Sequence, residues 1–186
     1  MDTFIEQIVK KKKDPKEWAI ILAIVMALIV VLAAALLFWA FISILLPFIV
    51  LGAGYGAWYV ISAQNKEFEY CVTNGDIDID LIIARRRRKR QVSVAGRKVE
   101  ALLPFEQGMS TTNYQRIVVA APSLAEEGLW YFTYHSKKNG NTLVVFQPDQ
   151  RVLQALYSGL QKLVQIESRR AADAKGIVLD SRRTAE

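Results

Sequence analysis

The sequence has a single cysteine, Cys71, and a single histidine, His135. One cysteine excludes an internal disulfide, and together the two residues exclude a catalytic histidine pair and the cysteine or histidine clusters that hold zinc. No glycine-rich loop precedes a Lys-Ser or Lys-Thr pair, and no serine stands in a nucleophile-elbow context. The sequence therefore predicts no catalytic residue, no bound metal and no cofactor.

Charged residues are missing from Trp18 to Ala63, where no Asp, Glu, Lys, Arg or His occurs. One continuous helix over this run would be about 70 Å long, more than twice the ~30 Å hydrocarbon thickness of a bilayer. The run therefore predicts two membrane spans, roughly Trp18 to Ala40 and Pro47 to Ala63, joined by a turn within Phe41 to Leu46. Because neither span holds an ionisable residue, an ion or proton pathway is disfavoured and the hairpin is expected to be an anchor.

Aromatic side chains stand near the ends of both predicted spans, where amphipathic rings favour the membrane–water interface. The near interface is expected to hold Trp18, Trp58 and Tyr59, and the far one Trp39, Phe41 and Ser43. A cleaved signal peptide is the competing interpretation, because a lysine run precedes the apolar stretch and an alanine triplet lies within it. The stretch is much longer than the ~7 to 15 residues of a signal-peptide apolar region, which favours the hairpin.

Basic residues flank the apolar run on both sides but are absent from its turn. The N-terminal flank carries Lys10 to Lys13 and Lys16, and six consecutive basic residues, Arg85 to Arg90, follow the second span. By the positive-inside rule both termini are expected to face the cytoplasm, with the chain in the cell membrane. Cys71 would then lie in a reducing compartment.

Small residues on the two spans form a predicted helix-packing surface. Ala33 and Ala34 on the first span and Gly52 and Gly56 on the second are expected at similar depth. Close backbone approach at such positions is how helices associate in lipid. Two interpretations stay open: contact between the two helices of one chain, and association with a second copy or another membrane protein.

Beyond Ala63 apolar and polar residues alternate, which is typical of β-strands. Two alternating runs flank Asn74-Gly75, and this dipeptide predicts a hairpin with a type I′ turn. Further strands are expected over residues 91–94, 114–121, 130–135 and 142–146, whereas residues 97–113 fit no clear strand pattern. An amphipathic helix is expected after Pro148 to close one face of the sheet, with apolar residues at Val152, Leu153, Leu156, Leu160, Leu163 and Val164.

Two stretches, "EFEYCVTNGDIDIDLIIARRRRKRQVSV" and "FQPDQRVLQALYSGL", carry a resemblance to a known family. They are similar to the bacterial pleckstrin-homology-like domains of small two-span membrane proteins, with a Tyr-x-x-Thr first strand, a turn and a basic second strand. The resemblance implies an α+β fold: a transmembrane helical hairpin, then a mainly antiparallel PH-like β-domain closed by a C-terminal helix. The expected boundaries are a basic segment over 1–17, the hairpin over 18–64, the β-domain over 66–166 and a polar tail over 167–186.

The basic run at 85–90 has a predicted position as well as a charge. Because each leg of the first hairpin has eight or nine residues, Arg85 is expected to return to the level at which the chain leaves the membrane. The run could then form a basic collar that contacts anionic lipid headgroups. The predicted lipid-binding residues are Lys10, Lys11, Lys12, Lys13, Arg85, Arg86, Arg87, Arg88, Lys89 and Arg90.

Ordinary surface charge is the competing interpretation of this run. Asp76, Asp78 and Asp80 share one strand face and could pair with some of the arginines across the sheet. Nucleic acid is disfavoured because residues 81–100 contain no aromatic platform. The sequence as a whole predicts a non-enzymatic, membrane-anchored binding or scaffold module. The alternative is a subunit or regulator of a larger membrane complex, and a membrane-tethered nucleic-acid binder comes third.

Overall fold

A computed structural model of the chain describes residues 3–38 and 44–179. The predicted interface residues Trp39, Phe41 and Ser43, and most of the predicted turn, lie outside the described residues. The chain divides into two compact units. The β-domain takes the described residues up to 11, residues 67–82 and those from 87 onward, and the hairpin unit takes residues 12–66 and 83–86.

The hairpin unit contains two helices, α1 (Pro15–Leu37) and α2 (Leu46–Ala63). Asp14 caps the start of α1, where its backbone N–H donates to Glu17 Oε2 at 3.1 Å. Pro47 occupies the first turn of α2, as the sequence predicts. An N–H in the first turn has no hydrogen-bond partner within the helix, so proline loses nothing there. Both helices are long and apolar enough to cross a membrane, judged by length and composition alone.

Four strands form sheet A of the β-domain in the order β1-β2-β3-β4. They are β1 (Phe4–Lys10), β2 (Lys66–Thr73), β3 (Asp76–Ile83) and β4 (Arg87–Val94). The predicted β2–β3 hairpin is confirmed, with positive φ angles of 52° at Asn74 and 85° at Gly75.

Strand β1 lies before both helices in the chain, yet it pairs with β2, the strand that follows them. The pairing is antiparallel and runs from Phe4 opposite Thr73 to Lys10 opposite Glu67. The β-domain therefore begins near residue 4 and not at 66, and the helical hairpin is an insertion between two neighbouring strands.

Sheet B has the order β5-β7-β8-β6. Its strands are β5 (Val99–Pro104), β6 (Arg116–Ala120), β7 (Trp130–Ser136) and β8 (Gly140–Phe146). A short 3-10 helix, Gly96–Lys98, leads into β5. Three of these strands agree with the sequence prediction, whereas β5 falls in the region where no clear strand pattern exists. The pairing is antiparallel except between β6 and β8, which are parallel.

Two helices close the β-domain, where the sequence predicts one. They are α3 (Gln150–Ser158) and α4 (Lys162–Asp173), and the break falls at Gly159. Leu163, predicted to lie on the buried face, is 76% exposed because the break turns α4 out of the α3 register. The predicted polar tail from 167 is instead helical to Asp173, and Leu179 beyond it is buried.

One apolar core takes residues from both sheets and from the C-terminal helices. Tyr70 of β2 lies at its centre, with its ring edge-to-face against Phe146 at a centroid distance of 5.7 Å. The Tyr70 hydroxyl donates to the Ala120 carbonyl and accepts from the Gln147 N–H at 3.3 Å. Burial raises the pKa of Tyr70, so this hydroxyl stays protonated and remains a donor.

Three glycines bring the turn after β2, the connection after β4 and the end of α3 into direct backbone contact. A Cβ at Gly159 would lie 2.5 Å from Gly75 Cα, and a Cβ at Gly96 would lie 2.9 Å from the Gly159 carbonyl oxygen. Real Cβ atoms do not approach other atoms so closely, so a larger residue would force these segments apart. Gly159 ends α3 because the chain at this point must pass directly over Gly75.

Candidate functional site

The basic run, Arg85 to Arg90, is divided between the two compact units. Residues Ile83 to Arg86 form the tip of the β3–β4 hairpin and belong to the hairpin unit, whereas β4 from Arg87 onward belongs to the β-domain. The tip closes with Arg86 N–H donating to the Ile83 carbonyl at 3.0 Å. Ala84 and Arg85 at its centre both have positive φ, 52° and 55°. All six basic side chains from Arg85 to Arg90 are exposed.

The tip is attached to the end of α2 within the hairpin unit. The Ala84 N–H donates to the Asn65 carbonyl at 2.8 Å, so the chain returns here to a residue just beyond the end of α2. The Arg86 guanidinium lies over the rings of Tyr59 and Trp58, at 4.5 and 5.2 Å from their centroids. Its Nη2 donates to Ser62 Oγ. The negative end of the α2 dipole also stabilises a cation at this position, as do the faces of the aromatic rings.

The start of α1 has a similar arrangement of aromatic and charged groups. Lys13 Nζ lies 5.3 Å from the centroid of the Trp18 ring. Glu17, which is only 7% exposed, accepts from Lys66 Nζ at 2.8 Å. The helix ends on this side therefore carry three aromatic rings with cations stacked on them, the composition expected of a membrane–water interface.

In the β-domain, Arg88 and Arg90 neutralise carboxylates on the face of sheet A that points away from the core. Glu69 and Asp80 are 4% and 3% exposed, because the two arginine side chains cover them. Arg88 Nη2 lies 2.7 Å from Glu69 Oε1, and Arg90 Nε lies 2.9 Å from Asp80 Oδ1. Arg90 also reaches Asp78 at 3.0 Å.

This network confirms part of one expectation. Asp80 is buried beneath the arginines. Pairing between aspartates and arginines is confirmed for Asp78 and Asp80, whereas Asp76 instead accepts from the Gly96 N–H at 3.0 Å.

Burial sets the protonation behaviour of the groups in this network. It raises the pKa of Glu69, and a hydrogen bond with Glu6 raises it further, while the charge of Arg88 acts in the opposite direction. Burial also raises the pKa of the Cys71 thiol, with a further contribution from the charge of Glu69. A hydrogen bond to Asp80 raises the pKa of Arg90, so that guanidinium stays charged. The charge of Arg88 therefore favours the ionised form of Glu69 against the effect of burial.

The remaining predicted lipid-binding residues lie at the surface or near it. Arg87 and Lys89 are exposed, and within residues 3–38 and 44–179 the structure records no ion pair for either side chain. Lys10, Lys12 and Arg85 are exposed, and Lys11 and Lys13 are half-buried. Of the ten predicted residues, Arg88 and Arg90 are the two that pair with buried carboxylates in the described structure.

The predicted helix-packing residues are not all brought together. A groove between α1 and α2 is lined by Gly56, Ala53 and Ala57 on one side and by Ile24 and Ala27 among others on the opposite side. A Cβ added at Gly52, Gly54 or Gly56 would meet no atom within 4 Å. Ala33 and Ala34 are exposed. The described contacts between the helices therefore leave the glycine positions open.

His135 is exposed at the end of β7, and its Nδ1 lies 2.8 Å from Asn141 Oδ1. In the part of the chain that the structure describes, no three His, Cys, Asp or Glu side chains are arranged to hold a metal ion.

Sequence reasoning missed the two features that organise this surface. The stacking of Arg86 on Tyr59 joins residues from different elements, and only the return of the β3–β4 hairpin brings them together. Strand β1 had a weak signal, since Ile5 and Val9 fall on one face of a strand, but the lysines and the apolar run that follow it made it resemble a flank.

Comparison with protein families matches residues 1–165 to a family model described as "Bacterial PH-like domain (DUF6106)". Neither the curated proteins nor the solved structures contain a match to the chain. The matched region includes β1, both apolar helices, both sheets and α3, and it ends within α4. The predicted resemblance is therefore confirmed, and the chain belongs to this bacterial PH-like domain family.

Proposed function

We propose that this protein is a membrane-anchored, non-enzymatic binding or scaffold module whose PH-like β-domain lies on the cytoplasmic side. The family match supports a binding module, and the two long apolar helices support an anchor. The observation that carries the proposal is the pairing of β1 with β2, the strands on either side of the helical hairpin.

That pairing restricts how the helices can cross a membrane. Lys10 and Glu67 are opposite each other in the sheet, and only short segments join them to α1, which begins at Pro15, and to α2, which ends at Ala63. At about 3.3 Å per residue neither connection can span a ~30 Å hydrocarbon layer. The start of α1 and the end of α2 therefore belong on the side that holds the β-domain.

The charge distribution supports a cytoplasmic position for that side. Lysines 10 to 13 and Lys16 adjoin the start of α1, and the arginine tip adjoins the end of α2. Short loops rich in Lys and Arg stay on the cytoplasmic side. Epitope tags at the two ends of the full-length chain, probed in spheroplasts and in lysed cells, should both be reached only after lysis. Access to either tag in intact spheroplasts would refute the arrangement.

The finer part of the proposal is contact with anionic lipid headgroups. Arg88 and Arg90 contribute little net charge, because Glu69, Asp78 and Asp80 balance them. The exposed side chains of Arg87 and Lys89 can each add about 1 kcal/mol near an anionic leaflet, less the screening by salt. The anchor already holds the protein in the bilayer, so this energy would select lipids around it.

Lipid selection can be measured on the full-length chain extracted from mixed vesicles of phosphatidylcholine and phosphatidylglycerol. Native mass spectrometry should show enrichment of phosphatidylglycerol on the protein and a reduced enrichment in an Arg87→Gln/Lys89→Gln variant. Lys137→Gln/Lys138→Gln is the matched control, since these exposed lysines lie in the β7–β8 turn. Equal enrichment in all three proteins would refute the lipid contact.

A subunit or regulator of a larger membrane complex is the second candidate, favoured by the open glycine positions of α2. Nothing within 4 Å occupies the space beside Gly52 or Gly56, which share one face of α2, so another helix could approach along that face. Crosslinking in cells tests this reading: Gly52→Leu should abolish a specific larger species that Gly54→Leu, about 200° around the helix, preserves. A chain that crosslinks to nothing would refute it.

A further inference from the structure

The Arg86 side chain is fixed in place more firmly than a surface arginine of an ordinary hairpin turn. Two aromatic rings, Tyr59 at 4.5 Å and Trp58 at 5.2 Å, lie beneath its guanidinium, and Ser62 Oγ accepts from its Nη2. All of these residues belong to the hairpin unit. A guanidinium held in this way loses little conformational entropy when it binds a ligand.

The turn that presents Arg86 is strained, and the strain is local. Ala84 and Arg85 both adopt left-handed φ angles, which cost side chains with a Cβ steric energy. The turn between β2 and β3 meets the same requirement with Asn74-Gly75 and avoids this cost. Strain of this kind persists where surrounding contacts enforce it, and it often marks a functional site. Here the bond from Ala84 N–H to the Asn65 carbonyl enforces the turn.

Part of the hydrogen-bonding capacity of Arg86 remains open. A guanidinium has five N–H donors, and the recorded hydrogen bonds, to Ser62 Oγ and the Tyr59 carbonyl, both use Nη2. Among the described residues no acceptor is recorded for Nε or Nη1. The residues around it, 58–65 and 83–86, include no Asp or Glu. Nε and Nη1 lie on different edges of the charged guanidinium, and each can donate to an oxygen of a phosphate group.

We propose that Arg86, positioned by Tyr59, Trp58 and Ser62, binds the phosphate of an anionic phospholipid in the cytoplasmic leaflet. This inference rests on the proposed function, because it requires the ends of α1 and α2 to lie at the membrane surface. It goes further by assigning one residue to one chemical group. Trp58 and Tyr59, as interfacial aromatic residues, place the guanidinium at the depth where lipid phosphates occur.

The test uses the full-length protein in vesicles of phosphatidylcholine with or without phosphatidylglycerol, and measures phosphatidylglycerol retained after extraction. Arg86→Gln should lower retention about tenfold more than Arg87→Gln, the neighbouring exposed residue with the same charge change. This equals ~1.4 kcal/mol, close to the lower end of the range for a charged hydrogen bond. Arg86→Lys should also lose retention, because an ammonium keeps the charge but not the planar group that stacks on the two rings. Each variant is compared for its thermal unfolding midpoint in the same detergent.

The outcomes separate this site from the broader proposal. Equal losses in Arg86→Gln and Arg87→Gln would overturn the site while leaving general lipid selection intact. No preference for phosphatidylglycerol in any protein, the unsubstituted chain included, would overturn both. Full retention in Arg86→Lys would overturn the site, since charge alone would then suffice. Binding of inorganic phosphate that Arg86→Gln abolishes, with phosphatidylglycerol retention unchanged in that variant, would overturn the lipid assignment, because the group bound would then be free phosphate.

Discussion

Lys10 lies directly opposite Glu67 in the antiparallel pairing of β1 and β2, although residues 11–66, with both apolar helices, separate them in the chain. The hairpin therefore occupies the place of a β-turn. Antiparallel strands normally need only two residues to connect them, so the hairpin is not required to bring these strands together. Its two ends are instead joined in the chain to β1 and β2, two neighbouring strands of sheet A.

Replacing residues 11–66 by Asn-Gly should give a soluble, folded β-domain. Asn-Gly suits a type I′ turn between paired strands, and the replacement leaves the core residues of both sheets unchanged. Size-exclusion chromatography should show a compact species, and circular dichroism should show one cooperative unfolding transition.

A second variant, with the chain beginning at Glu67, provides the control. It lacks β1, which removes buried Val9 and the Gln7 side chain that accepts from the Asp149 N–H at 2.7 Å. We expect this variant to aggregate or to show no cooperative transition. A stable fold without β1 would mean that the strand pairing does not hold the domain together.

Gly75→Ala should destabilise the β-domain strongly. The added Cβ would collide with the Gly159 backbone, and overpacking of this kind costs about 1 to 3 kcal/mol beyond the cost of positive φ. Gly128→Ala is the matched control, because Gly128 also has a positive φ of 72° but no atom within 4 Å of the added Cβ. Chemical unfolding in detergent should separate the two variants by at least ~1 kcal/mol. Equal unfolding free energies would show that the glycine contact is unimportant.

Arg88→Gln should destabilise the chain by about 1 to 3 kcal/mol, since it leaves the buried Glu69 carboxylate without its cation. Adding Glu69→Gln should restore most of the loss, because the buried group is then neutral. Arg87→Gln, with an exposed side chain, should change the unfolding free energy by no more than about 0.5 kcal/mol. A double variant as unstable as Arg88→Gln alone would contradict the proposed pairing.

Cys71 should react slowly with iodoacetamide at neutral pH. The thiolate is the reacting form, and burial, with the charge of Glu69, raises the pKa of this thiol. Because the pKa is raised, the thiol stays protonated at neutral pH, and the rate should still be rising at alkaline pH where an ordinary thiol has reached its plateau. Glu69→Gln should shift the rate profile toward lower pH, as followed by mass spectrometry. An unchanged profile would show that Glu69 does not influence the thiol.

Patterns confined to neighbouring residues were sufficient for much of the fold. The Asn74-Gly75 turn and the strands beside it, and the two helices of the uncharged run, follow from periodicity and turn chemistry. The prediction of a single C-terminal helix was wrong. The helix breaks at Gly159, where the backbone contacts Gly75, a residue distant in sequence. Strand β5 was missed for a related reason: its identity depends on pairing with β7.

By itself the sequence determined that an uncharged stretch must fold as apolar helices, that alternating segments must form strands, and that basic residues flank the helices. These are consequences of local periodicity and of the solvents in which each segment is stable. The tertiary structure alone decided that β1 completes the sheet, that Arg88 and Arg90 neutralise buried carboxylates, and that Arg86 stacks on Tyr59 and Trp58. Six consecutive basic residues look equivalent in a sequence, whereas in the fold each has neighbours set by strand pairing between distant parts of the chain.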